Sequence, residues 1–174
     1  MPHLPPADLP RSGWVAHTQL LLTTFAARLG RELISREGTH EEQAKRLYEA
    51  PFVVVSADAS ADPLLTYGNR TALALWEIDV ATLLATPARH TAEPMHRDER
   101  QRLLTRTREQ GYVDDYAGIR VSTTGRRFRI EQAIVWNLTD ANGAYVGQAA
   151  TFATWVPLED TATADRSAGS GSER

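Results

Sequence analysis

The sequence predicts an α+β domain: a five-stranded antiparallel sheet with short helices on one face and an N-terminal helical extension. Three observations carry this. Stretch 111–155 is cut into three runs by Thr123-Thr124-Gly125 and by Asp140-Ala141-Asn142-Gly143. Asn-Gly between apolar runs marks a hairpin. The middle run alternates, with Phe128, Ile130, Gln132, Ile134 and Trp136 on one parity and Arg127, Arg129, Glu131, Ala133 and Val135 on the other. Side chains of a strand alternate faces, so one face is apolar and aromatic. Upstream, Phe52-Val53-Val54-Val55 and residues 63–67 read as two further strands, separated from the meander by helical sequence.

Residues 1–11 are proline-rich and are expected to lack structure. Over 14–36, Leu22, Phe25, Ala26, Leu29 and Leu33 recur at spacings of three and four, which predicts one long helix. After Gly38, Thr39-x-x-Glu42 is a capping box opening a second helix that turns Ala44, Leu47 and Tyr48 inward and stops before Pro51. A polar loop, 58–62, joins the first two strands, with Pro63 tolerated only at a strand start. Asn69 caps a helix burying Ala72, Leu73 and Trp76, and Asp79 caps a shorter one. Residues 95–110 form a longer helix ending at Gly111, with Met95, Leu103 and Leu104 buried and its arginines on a solvated face. The predicted organisation is therefore a tail (1–11), N-terminal helices (12–50), the core (51–156) and a Thr/Ala/Ser/Gly-rich disordered tail (157–174).

The composition, 42% hydrophobic and 24% charged with net charge −3, is that of a folded domain and gives no electrostatic case for nucleic-acid binding. The absence of cysteine excludes disulfides, thiolate metal sites, a cysteine nucleophile and covalent flavin–cysteine photochemistry. No apolar run approaches the ~20 residues of a membrane span, and no signal-peptide core precedes the first helix. A cytoplasmic location is the expectation.

On the first meander strand, Asp114, Tyr116, Gly118 and Arg120 share one parity; Val113, Asp115, Ile119 and Val121 share the other. A carboxylate, a phenol and a guanidinium on one face can orient an anionic or polar ligand. Cross-strand pairing with Arg127, Arg129 or Glu131 is the structural alternative. A small acid–base enzyme, isomerase- or hydratase-like and using Asp114 or Asp115 with Tyr116 in an α+β cavity, is the rival function. No nucleophile–base pair and no metal-ligand spacing accompanies those residues.

The helix–helix–strand–strand–helices–meander order resembles the PAS fold. The more specific features are Tyr48-Glu49-Ala50-Pro51-Phe52, Tyr67-Gly68-Asn69-Arg70-Thr71-Ala72-Leu73, Leu75-Trp76-Glu77, Thr91-Ala92-Glu93-Pro94, Asp114-Asp115-Tyr116-x-Gly118-Ile119-Arg120, Gly125-Arg126-Arg127-Phe128, Trp136-Asn137 and Gly147-Gln148-Ala149. Together these resemble the MEKHLA domain, a PAS-related family, over residues 14–155. That family occurs as a single-domain bacterial or algal protein and as the C-terminal domain of plant homeodomain–leucine zipper factors. This sequence shows neither homeodomain nor zipper heptads, so direct DNA binding is not implied. The resemblance implies a non-catalytic sensory or interaction module with a pocket between sheet and helices.

Any small ligand is expected between the inner sheet face and the helices of 69–84. The candidate contacts are Tyr67, Asn69, Trp76, Arg89, Tyr116, Arg120, Phe128, Trp136 and Gln148, apolar walls with a few orienting polar groups. Gln148 enters by similarity to flavin-binding PAS domains. His90 and His96 lie near where haem-binding PAS domains place their ligand, yet no stoichiometric haem or flavin is expected. Ala133, Val135, Ala149, Thr151, Ala153 and Trp155 share the second sheet face. The helix of 14–36 is expected to cover that face or to pair with its copy in a homodimer.

Overall fold

The computed structural model describes residues 11–93 and 96–159. The elements are α1 (Arg11–Leu29), α2 (His40–Tyr48), β1 (Val53–Asp58), β2 (Leu65–Gly68), α3 (Arg70–Trp76), α4 (Val80–Leu84), a 3-10 turn (Ala88–Thr91), α5 (Arg97–Gln110), β3 (Tyr112–Val121), β4 (Arg127–Thr139), β5 (Tyr145–Phe152) and β6 (Thr154–Pro157). One antiparallel sheet runs β2-β1-β5-β4-β3, with β6 added to β4 beyond the end of β5. This is the predicted α+β sheet; the last strand breaks at Ala153 and continues as β6. The expected disorder of the two ends falls outside the described residues, except at Arg11, which starts α1, and at 157–159, where Pro157 closes β6. The expected burial of Met95 also falls outside them.

Local chemistry sets the helix ends. Thr39 and Glu42 form the predicted reciprocal capping box of α2. Asn69 and Asp79 cap α3 and α4 through their side-chain oxygens. α1 is shorter than the periodicity predicts, because Gly30 takes a left-handed φ of 71° and ends it at Leu29. Leu33 and Ile34 still reach the core from the turn beyond it.

The alternation of the meander is interrupted twice. Val113 faces Val135, Tyr116 faces Ala133 and Gly118 faces Ile130. Between the first two of these pairs β3 carries one extra residue; between the next two β4 carries one, with Gln132 at φ 51°. Each bulge reverses the parity of the residues beyond it. Val113, Tyr116, Gly118 and Arg120 consequently all lie on the buried face, while Asp114 and Asp115 are both exposed. On β4, Phe128 and Ile130 face inward before the bulge, and Ala133 and Val135 face inward after it. Trp136 and Leu138 turn to the opposite face. Two expectations are therefore corrected. Trp136 is not on the face of Phe128 and Ile130, and Ala133 and Val135 are not on the outer face. Trp155 is corrected likewise: past the break at Ala153 it packs edge-on against Phe152 on the inner side, ring centroids 6.0 Å apart.

α1 lies on the outer face of its own sheet. Trp14, Leu21, Leu22 and Phe25 pack with Ala44 and Leu47 of α2 against Val54, Tyr67, Trp136, Leu138 and Ala149. His17, half-buried on α1, stacks on Tyr67 with centroids 5.7 Å apart. Its Nε2 is 2.8 Å from the Ser56 hydroxyl, which is itself 2.7 Å from that of Thr66. Burial without a carboxylate partner pulls its pKa from 6.5 down to about 4. The unfolded chain thus takes up the proton first as pH falls, and stability drops from pH 6.5 downward until both states are protonated near pH 4. At ~1.4 kcal/mol per pKa unit the full loss is about 3.5 kcal/mol, of which roughly 2–3 kcal/mol falls between pH 7 and pH 4.5. Urea unfolding at pH 7 and pH 4.5 should show the native protein losing that much more than His17→Gln. Equal losses in the two proteins would remove His17 as the source.

Candidate functional site

A cavity of about 450 Å³ lies between α5 and the inner sheet face, within the size range of small-molecule sites. Its apolar wall includes Val55 and Leu65 from β1 and β2, Leu103 and Leu104 from α5, Ile130 and Val135 from β4, and Phe152 from β5. It opens to solvent past Ala59, Ala61, Gln101, Thr105 and Glu109, all exposed.

Trp76 reaches this wall because the C-terminus of α3 is pinned to the β3–β4 turn. Glu77 takes a left-handed φ of 55°. Its carboxylate accepts hydrogen bonds from the hydroxyls of Ser122 and Thr124, and the Thr123 N–H donates to the Trp76 carbonyl at 3.1 Å. The Trp76 indole stands edge-on to Phe128 and Phe152 at 5.3 and 6.0 Å. Tyr116 and Arg120 reach the cavity because of the β3 bulge. Gly118 leaves room for the phenol, since a Cβ there would collide with the Tyr116 hydroxyl. The Arg120 guanidinium is 5.4 Å from the Tyr116 ring centroid.

Four of the nine candidate contacts therefore line the cavity: Trp76, Tyr116, Arg120 and Gln148. Gln148 is partly committed, its Nε2 donating to the Leu104 carbonyl at 2.9 Å and to Asn137 Oδ1 at 3.1 Å. It fastens α5 to the sheet. The other five are placed elsewhere. Phe128 backs Trp76 from behind the wall. Trp136 and Tyr67 face α1 on the opposite side of the sheet, Trp136 through the bulge and Tyr67 by its register with Ser56. Asn69 spends its whole amide on backbone: Oδ1 accepts from Val54 N and Ala72 N, and Nδ2 donates to the carbonyls of Leu47 and Phe52. Arg89 pairs with Asp62 at 3.4 Å near the surface. The cavity also runs under α5 rather than under the helices of 69–84 alone.

Sequence reasoning passed over Arg100, which lines the cavity from α5. The signal was there: Arg100 stands three and four residues before Leu103 and Leu104, and seven before the buried Thr107, on the stripe that faces the sheet. Burial first, then the neighbouring charge of Arg120, pulls its pKa down to about 10. Two of the lining residues carry buried polar atoms, the Tyr116 hydroxyl and Trp76 Nε1, that have no hydrogen-bond partner among the described residues.

Asp114 and Asp115 are exposed, Asp115 pairing with Arg106 at 3.2 Å, so the acid–base reading loses both of its carboxylates. Asp58, at the rim, is occupied by Ser60 and by the Leu64 N–H, with the Ser60 hydroxyl first in holding its carboxyl below the usual range. Neither His90 nor His96 lines the cavity. Among the described residues no group of three or more His, Asp or Glu could hold a metal, and no helix is long and apolar enough to cross a membrane.

The sheet order, the helices over its inner face and the cavity beneath them define a PAS-type domain. Its backbone is similar to that of a PAS domain from Colwellia psychrerythraea, with a TM-score of 0.55 at 14% identity over 68% of this chain and 95% of that one. It is also similar to the light-state dimer of the fungal blue-light photoreceptor Vivid, with a TM-score of 0.55 at 12% identity over 91% and 100%. The chain belongs to the MEKHLA domain family, whose model matches residues 15–157. A curated relative is the homeobox-leucine zipper protein HOX29 of Oryza sativa subsp. indica, 24% identical over 140 residues; the match covers 79% of this chain and 15% of HOX29.

Proposed function

We propose that this domain is a non-catalytic sensory module whose cavity takes a small ligand. One observation carries the proposal: a roomy, largely apolar cavity that opens to solvent and has the guanidinium-bearing Arg100 and Arg120 in its lining. Concave apolar sites with a few polar groups are where small ligands bind. The MEKHLA membership and the PAS-type fold support a sensor, and the outward-facing Asp114 and Asp115 take support from the enzyme reading. Native mass spectrometry of gently purified protein is expected to show a bound small molecule below 1 kDa or, if it is lost on purification, a species restored by cell extract. A chain that stays at its sequence mass under both conditions would overturn the proposal.

The same reading assigns no stoichiometric haem or flavin. Haem lacks a histidine in the cavity wall, and flavin lacks the thiol for a covalent adduct. A Soret band or a flavin spectrum near one equivalent would reverse this. As for a homodimer, the apolar stripe of α1 is spent on its own sheet. A dimer would therefore use other surfaces of that helix, and light scattering decides it.

A further inference from the structure

We infer that the cavity recognises an amphipathic organic anion, a carboxylate or phosphate head group held by Arg100 and Arg120 with an apolar body along Val55, Leu65, Leu103, Ile130 and Phe152. This rests on the ligand-binding reading above and names the class of ligand.

Arg120 is buried without a counter-charge. Its side chain comes from the middle of a strand and the residue is only 7% exposed. Its one hydrogen bond among the described residues goes from Nη1 to the carbonyl of its own neighbour Ile119, at 2.9 Å. No carboxylate lies within ion-pair distance of it among the described residues, whereas Arg127, beside it on β4, has Glu93 at 2.7 Å. A guanidinium so placed keeps only the hydration that the cavity admits, and no carboxylate of the described residues replaces the rest. Arg100 approaches the same cavity from α5 and adds a second positive charge instead of a negative one. The acid whose charge reaches Arg100, Asp62, is itself held by Arg89 at 3.4 Å.

The two acids of the lining, Asp58 and Glu109, sit at the rim, one bound to its own turn and the other exposed. The interior thus presents donors and positive charge, and it lacks a negative partner. Guanidinium groups suit planar carboxylate and tetrahedral phosphate oxygens alike. Val55, Leu65, Leu103, Leu104, Ile130, Val135 and Phe152 make most of the remaining inner wall apolar, with Ser56, Thr91 and Gln148 as its neutral polar groups, so the ligand carries a mainly apolar body.

The test is a thermal-shift and calorimetric panel on the full chain. The probes are butyrate, octanoate, decanoate and 3-phenylpropionate, their primary amides, and octyl phosphate. At least one carboxylate or octyl phosphate is expected to raise the melting temperature and to bind at least tenfold tighter than its uncharged partner. Tighter octanoate or tighter octyl phosphate decides which head group is preferred. Arg120→Gln and Arg100→Gln should each weaken binding at least tenfold and remove the preference for the anion over the amide. Arg120→Met in ligand-free protein should melt at or above the native temperature, because it removes an unpaired buried charge; a purely structural arginine would give a clear fall. Amides binding as well as acids, or glutamine variants binding like the native chain, would overturn the anion assignment while leaving the pocket reading intact. If neither anions nor amides bind and native mass spectrometry finds the protein bare, both fall.

Discussion

Asn69→Ala should lower the stability of the domain by about 3–5 kcal/mol. One fully buried side chain makes four hydrogen bonds, accepting from Val54 N and Ala72 N at 3.1 Å and donating to Leu47 O at 3.2 Å and Phe52 O at 2.8 Å. These link the end of α2, the start of β1 and the first turn of α3. Alanine removes an N-cap, worth ~1 kcal/mol. It also strands backbone groups where water cannot reach, and each buried unsatisfied group costs roughly 1–3 kcal/mol. The upper part of that sum is discounted because α3 is short and can shift. Asn69→Asp is expected to be no better, since it keeps the acceptor but sets a carboxylate against two carbonyl oxygens. Urea unfolding of the two variants measures both losses. A loss below 1 kcal/mol for alanine would show that these four bonds do not hold the three elements together.

That residue also shows where the sequence could and could not be read. Its position before Arg70-Thr71-Ala72 identifies a helix cap, because the capping rule is local. Its other three bonds reach residues 15 to 22 positions away, and no pattern in the chain announces them. The sheet behaves in the same way. Strand existence, turns and the Asn-Gly hairpin are local and were legible. The face of each side chain depends on unbroken alternation, and one inserted residue on β3 and one on β4 reversed it. Tyr116 and Arg120 came to the cavity with Gly118 making room, while Trp136 left for the other side. Gln132 at a left-handed φ and the paired aspartates are consistent with bulges, but nothing in their identity fixes which strand carries the extra residue. Arg100 was legible in principle. A helix with eight charged residues reads as solvated unless its charges are placed on the helical wheel beside Leu103 and Leu104.

The second large effect concerns α1. Phe25→Ala should cost about 3–5 kcal/mol, the usual range for emptying a buried phenylalanine site. Phe25 is fully buried and stands edge-on to Trp136, also fully buried, with ring centroids 5.1 Å apart. The Trp136 indole N–H donates to Thr24 Oγ1 at 3.0 Å, one position along the same helix, so a helix that slides to fill the cavity also breaks that bond. Collapse is thereby opposed, and the cavity term should be felt in full. The loss is a large share of a stability of ~5–15 kcal/mol. Trp136→Phe separates the two contributions: it keeps an aromatic ring under Phe25 and gives up the hydrogen bond, worth ~1 kcal/mol, plus the cost of the space a smaller ring leaves empty. Denaturant titration at two protein concentrations makes the measurement. A concentration-independent loss of the stated size would show that α1 is part of the folding unit of a single chain. A loss below 1 kcal/mol would make α1 a detachable appendage, and a midpoint that rises with concentration would show that a second copy supplies stability assigned here to the helix of one chain.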